Sequence, residues 1–176
     1  TMESLVEQLC VGRCVLAPMV RAGTLPLRLL ALSYGASGVW SEEIVDHKLM
    51  TCQRVENPRV GTVDFVLPDA KGVVFRTCAA ETSRLVLQLG TGNDLRAQRA
   101  AELCCGDVSA VEVNMGCPKR FSLQDSMGAA LLKDPERAFG IIKRLRQAVP
   151  PEMPVFAKIR VVDDPRRTVE FVRGLA

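Results

Sequence analysis

Apolar residues along the chain fall in short runs, each followed by a Gly-, Asn- or Pro-bearing loop and then by a stretch with helical spacing. Cys14–Met19 (CVLAPM) reads as a strand, and Leu25–Tyr34 as the helix after it. Ser37–Trp40 is a second strand, leading through the acidic pair Glu42/Glu43 into a helix ending near Met50. Leu85–Leu89 is a third, with a helix over Asp94–Cys105 capped by Asn93 or Asp94. Ala110–Val113 is a fourth, and its helix runs from Pro135 to Val149, with Asp134 as N-cap and Pro135 at the first helical position. Val155–Ile159 is a fifth, followed by a helix over Pro165–Leu175. Between the second and third units, Thr62–Thr77 reads as a β-hairpin turning around Pro68–Gly72.

Strands alternating with helices predict an α/β fold with a parallel sheet and right-handed crossovers, either doubly wound or a barrel. The pattern does not choose between them. In a (β/α)8 barrel the chemistry sits beyond the C-terminal ends of the strands. The unusual polar or turn-forming residues fall there: Pro18 and Met19, Gln88, Asn114–Cys117 and Lys158.

Composition narrows the class. With 176 residues, 48% of them hydrophobic, and no repeat or low-complexity block, the chain reads as one globular unit able to bury a core. No apolar run approaches the roughly 20 residues of a membrane-spanning helix, and the N-terminus lacks the pattern of a secretory signal. The seven cysteines are odd in number, have no CxxC spacing and share the chain with a single histidine, His47. They are expected to be reduced thiols rather than disulfides or a zinc site, in a soluble, cytoplasmic protein, with nucleus or mitochondrion still open. The net charge of +3 gives weak support to an acidic partner. The clusters Lys143/Arg144/Arg146 and Arg166/Arg167 read as solvated faces.

The sharpest chemical signal is Asn114-Met-Gly-Cys-Pro118 at the end of the fourth strand. Gly116 permits an unusual turn and Pro118 stops the strand, which exposes the Cys117 thiol. A nucleophilic cysteine wants a neighbouring base, and one histidine is a poor supply. A general acid needs only a neutral thiol, and an ordinary cysteine with pKa of about 8.5 is mostly protonated at pH 7. Lys158 would carry a cation to the same rim, where an anionic partner such as a reduced flavin would meet it. Gln88 offers a donor and an acceptor to the amide-like edge of a ring. The structural alternatives are a Gln88 satisfied by backbone and a Lys158 paired with Glu112 or Glu43.

LAPMVRAGTLPLRLLA (Leu16–Ala31), LVLQLGT (Leu85–Thr91), VEVNMGCPKRFSLQDSMGAALL (Val111–Leu132) and VFAKIR (Val155–Arg160) together resemble, in order and spacing, the motifs of tRNA-dihydrouridine synthases. The nearest type is the eukaryotic one acting on position 20 of the tRNA D-loop. The resemblance implies an FMN-binding TIM (β/α)8 barrel in which NADPH reduces the flavin and the flavin reduces a uridine of tRNA. It implies that Pro18, Met19, Gln88, Asn114 and Lys158 bind the cofactor and that Cys117 protonates the uracil ring. Asn114, Lys119 and Arg120 would contact the tRNA substrate, whose target base is turned out of its stack. No metal and no membrane are implied.

Five βα units are legible, against eight in a complete barrel of about 250 residues. Residues 1–176 are therefore expected to be the N-terminal part of such a barrel, without its sixth to eighth strands or an RNA-binding domain. Such a segment would expose a strand edge, which makes activity of these residues alone doubtful. Related FMN barrels carry Asn-x-Ser-Cys-Pro variants, so an FMN-dependent pyrimidine or dihydroorotate-type dehydrogenase remains an alternative, as does a truncated, non-catalytic fragment.

Overall fold

The computed structural model describes residues 2–68 and 72–176. Its strands are β1 (Val15–Leu16), β2 (Gly38–Val45), β3 (Gln53–Asn57), β4 (Thr62–Val66), β5 (Val73–Thr77), β6 (Leu85–Gly90), β7 (Ala110–Met115) and β8 (Val155–Ile159). Its α-helices are α1 (Met2–Cys10), α2 (Leu25–Ser33), α3 (Asp46–Met50), α4 (Asp94–Cys104), α5 (Arg120–Gln124), α6 (Pro135–Ala148) and α7 (Pro165–Leu175).

The main sheet has five strands in the order β1-β2-β6-β7-β8, every pair parallel. The strands of this sheet lie side by side in chain order, without the reversal that defines a doubly wound sheet, so the choice left open by the sequence falls to the barrel. These are five successive units of a (β/α)8 barrel.

Two faces explain the strand sequences. Leu85, Leu87 and Leu89 of β6, with Val111 and Val113 of β7, pack outward on the buried faces of α4 (Ala97, Ala100, Ala101, Cys104) and α6 (Ala138, Ile141, Leu145). The alanines let α4 lie close to the sheet, and each fully buried leucine contributes about 1.5–3 kcal/mol. On the other face, Trp40, Val86 and Ala110 form a separate apolar layer with Leu9 of α1, joined by Leu5 and Phe156. This layer floors the barrel interior at the N-terminal end of the strands.

The expected caps are present: Asn93 accepts from the backbone of Arg96, Asp134 from Arg137 and Asp164 from Arg166. Three expectations change. Glu42 and Glu43 belong to β2, and the helix after it is only Asp46–Met50. The first strand shrinks to Val15–Leu16. The hairpin gains a third strand, β3, giving an antiparallel sheet in the order β3-β4-β5, while residues 69–71 of its expected turn lie outside those described. The polar run QRVEN hid β3, because only its pairing with β4 marks it as a strand.

Arg28 of α2 ties this insertion to the barrel. Its guanidinium donates to Glu81 at 2.8 and 2.6 Å and to the Arg76 carbonyl at 2.7 Å, while Thr77 Oγ1 donates to Glu81 at 2.8 Å. Both charged side chains are buried, so removing one partner would cost about 3–5 kcal/mol. Among the described residues no helix is long and apolar enough to cross a membrane, and no cluster of His, Cys, Asp or Glu could hold a metal ion.

Candidate functional site

A cavity of about 450 Å³ opens at the C-terminal ends of the strands, lined by Pro18, Val20, Glu43, Gln88, Asn114, Gly116, Cys117, Pro118, Lys158, Ile159 and Arg160. Register explains the gathering. Glu43 lies opposite Gln88, Gln88 opposite Glu112, and Asn114 opposite Lys158. Alternation along β6, β7 and β8 carries Gln88, Glu112, Asn114 and Lys158 to the same inner face as Val86 and Ala110, and a β-bulge between Trp40 and Glu43 brings Glu43 to that face as well. A polar layer thus sits directly on the apolar floor.

Hydrogen bonds order that layer. Gln88 Nε2 donates to Glu112 Oε1 at 2.6 Å, and Gln88 Oε1 accepts from Asn114 Nδ2 at 3.2 Å. Asn114 Oδ1 in turn accepts from the backbone N–H groups of Gly116 and Cys117, both at 3.0 Å. An asparagine at the strand end thereby closes the turn that presents the thiol. From the other side, the guanidinium of Arg160 donates to the Gly116 carbonyl, and Ala129 N donates to the Cys117 carbonyl at 2.9 Å.

The electrostatics separate two carboxyls. Burial raises the Glu112 pKa, against the hydrogen bond from Gln88, a favourable indole contact from Trp40 and the charge of Lys158. Trp40 Nε1 itself has no partner at full hydrogen-bonding geometry among the described residues. Burial also raises the Glu43 pKa, against the attraction of Lys119. Lys158 is exposed on the edge strand and forms no ion pair among the described residues, so its anticipated pairing with Glu112 or Glu43 is not made.

The model of the family described as "Dihydrouridine synthase (Dus)" matches residues 15–176. The chain belongs to the dihydrouridine synthase family. It is 44% identical over 172 residues to the tRNA-dihydrouridine(20) synthase [NAD(P)+] of Saccharomyces cerevisiae, covering 93% of this chain and 45% of that protein. It is 43% identical over 169 residues to the Schizosaccharomyces pombe protein of the same name, covering 93% and 35%. A human tRNA-dihydrouridine(20a/20b) synthase [NAD(P)+]-like protein is 29% identical over 161 residues, covering 89% and 44%. The chain spans less than half the length of these relatives.

Of the residues expected from the dihydrouridine synthase motifs, Pro18, Gln88, Asn114, Cys117 and Lys158 converge on the cavity. Met19, Lys119 and Arg120 lie outside its lining. The Met19 carbonyl is spent on the turn, accepting from Ala22 and Gly23. Lys119 sits at the N-cap position, without a side-chain capping bond, and Arg120 begins the short α5, both exposed beside the turn that carries Cys117. Gln88 is not satisfied by backbone through its side chain: its amide is held by Glu112 and Asn114, while its own N–H donates to Ser41 Oγ at 2.9 Å. Sequence reasoning placed Glu43 at the start of a helix and Arg160 only within a motif. The signal for both is that they border strand ends, but their convergence depends on sheet register.

Proposed function

We propose that residues 1–176 form the N-terminal part of the catalytic barrel of a cytoplasmic enzyme that reduces a uridine of tRNA to dihydrouridine, with FMN as cofactor and NADPH as reductant. The observation that carries this reading is the Asn114-held turn that presents Cys117 in a strand-end cavity beside Lys158, a cation that forms no ion pair among the described residues. The relatives' names support tRNA as the substrate and position 20 of the D-loop as the target.

The site suits a flavin. Among the described residues Lys158 forms no ion pair and one Glu43 carboxyl oxygen is buried without a hydrogen-bond partner, while Gln88 holds its amide in one orientation. When bound, FMN supplies the hydride for the uracil ring. Lys158 would meet the electron-rich edge of the isoalloxazine, Gln88 would face its amide-like edge, and Pro18 and Met19 would flank it. Cys117 Sγ would hold the proton destined for C5 of the uracil, and Asn114 fixes the backbone from which that thiol projects. Lys119 and Arg120 are placed to contact tRNA phosphates.

The test uses the full-length protein, reduced with NADPH and then offered unmodified tRNA or free pyrimidines. Reoxidation by tRNA with appearance of dihydrouridine at position 20 is expected. Reoxidation by free pyrimidines alone would replace the reading with a pyrimidine dehydrogenase, and a protein that rejects added FMN would remove the enzymatic reading altogether.

A further inference from the structure

The loop after β1 holds Arg21 in the left-handed backbone region, at φ +66°. Of the other described non-glycine residues, only Ser126 shares that region. A residue with a Cβ rarely adopts it, whereas glycine does so freely. Hydrogen bonds fix the loop there. Glu42 on β2 accepts the backbone N–H of Arg21, and the Met19 carbonyl accepts from Gly23 N at 2.7 Å and from Ala22 N at 3.2 Å. Gly23 lies close against β2, where a Cβ would stand 3.2 Å from Glu42 N. A long cationic side chain thus occupies a fixed backbone site that suits glycine, and such outliers gather where ligands are held.

Arg21 stands at the mouth of the cavity. Pro18 and Val20 of the same loop belong to its lining, and Arg21, next along the chain, is exposed. Its guanidinium forms no ion pair or hydrogen bond among the described residues, and Glu42 meets its backbone instead. β1 and β8 are the two outer strands of the sheet, so Arg21 approaches the mouth from the β1 side. Lys119 and Arg120 approach it from the turn after β7, both exposed, and the charge of Lys119 reaches Glu43 in the lining. Exposed cations on two sides of one opening attract a polyanion that runs across it.

We propose that Arg21 binds a phosphodiester flanking the target nucleotide, so that the RNA strand crosses the cavity mouth from the β1 side to the β7 side with its base turned inward. The proposal rests on the functional reading above. A nucleotide whose base leaves its stack presents a phosphate on either side of it. Contacts to those phosphates fix the register of the strand without reading its sequence. A planar guanidinium binds a phosphate through two parallel N–H bonds, and the fixed backbone at Arg21 limits where that fork can reach. A free pyrimidine offers no phosphate, so the contact favours RNA over a free base.

Full-length wild type, Arg21→Gly and Arg21→Lys, each loaded with FMN, test this. Glycine takes the same backbone freely, so Arg21→Gly removes the charge and leaves the loop in place, which a thermal melt checks. Binding of an unmodified tRNA transcript is measured by fluorescence anisotropy at several salt concentrations, with FMN affinity and flavin reduction by NADPH measured beside it. Arg21→Gly is expected to weaken tRNA binding about five- to tenfold and to lower the slope of log Kd against log salt by about 0.7, the loss of one phosphate contact on an unpaired strand. Arg21→Lys keeps the charge and should recover most of that slope. FMN affinity and flavin reduction should stay within twofold of wild type. Unchanged tRNA affinity and slope in Arg21→Gly would overturn the contact. So would a loss of FMN affinity or of reduction by NADPH with tRNA binding intact, since the guanidinium would then serve a cofactor phosphate. A wild type that binds tRNA with this Arg21-dependent slope but forms no dihydrouridine would leave the contact standing and remove the synthase reading.

Discussion

Asn114 Oδ1 accepts from the backbone N–H of Cys117 at 3.0 Å, and its Nδ2 reaches Gln88 Oε1 at 3.2 Å. One side chain therefore couples the thiol's backbone to the ordered polar layer. Asn114→Ala in the full-length protein is expected to cost about 1–2 kcal/mol of stability, since each lost hydrogen bond is worth about 1 kcal/mol net. A thiol displaced by about 1 Å can lose about 100-fold in rate. Single-turnover reoxidation of the reduced enzyme by tRNA, alongside a denaturant melt, measures both. Asn114→Asp keeps the acceptor for the two N–H groups and should recover part of the rate. A rate for Asn114→Ala within twofold of wild type would show that Arg160 and Ala129 hold the turn without it.

Gly128 supports the same turn from below. Its φ is +59°, and a Cβ there would stand 2.5 Å from the Cys117 carbonyl and 3.1 Å from Cys117 Cβ. Gly128→Ala is expected to cost about 1–3 kcal/mol through left-handed backbone strain alone and to push Cys117 out of place. Alkylation by iodoacetamide, mapped to Cys117 by mass spectrometry, should change in rate by severalfold. An unchanged rate and an unchanged melting temperature would together refute the contact.

Asp64 and Arg76 should make the antiparallel sheet acid-sensitive. Two charge-assisted hydrogen bonds from Arg76, with support from Thr62 and Asn57, lower the Asp64 pKa to about 2 from an ordinary 3.8. A depressed carboxylate contributes stability that is present above its unfolded value and lost as pH falls through the folded one. The loss therefore falls between pH 3.8 and about 2. With Arg76 partly exposed, it amounts to about 1–2 kcal/mol. Arg76→Gln should remove this component from urea melts across that range. Parallel losses in wild type and variant would assign the acid sensitivity elsewhere.

The parts of the molecule legible in the sequence are those set by local pattern. Val155–Ile159 and Pro165–Leu175 emerge with their expected bounds because Pro154 and Pro165 punctuate them and the apolar period is clean. The turn at Cys117 is legible because Pro118 stops the strand, but Gly116 does not take the unusual backbone conformation expected of it, and the turn is closed instead by Asn114. Glu43 is not legible, since a bulge is a mismatch between two strands and neither strand records it alone. Lys158 lies on the expected rim but is exposed and without the ion pair anticipated for it among the described residues. It is exposed because β8 is an edge strand among the described residues, paired on one side only, with Lys158 opposite Asn114.

Glu112 gives the polar layer its own pH dependence. Burial is the main cause of its raised pKa, and the Gln88 amide donates to its Oε1 at 2.6 Å. A carboxyl whose folded pKa is raised contributes stability that is complete below its unfolded value, near 4.5, and is lost as pH rises through the folded value. Glu112→Gln keeps an acceptor for Gln88 but cannot ionise, so its stability relative to wild type should grow across that rise and then level off. Glu112→Leu also cannot ionise but removes the acceptor and leaves the Gln88 amide unpaired in the interior, so its curve should follow that of Glu112→Gln at about 1–3 kcal/mol lower stability at every pH. Denaturant melts of the two variants and wild type from pH 4 to about 8 separate these behaviours. A Glu112→Gln curve running parallel to wild type would show that Glu112 keeps the same proton occupancy in the folded and unfolded chains, and burial would then not govern its charge.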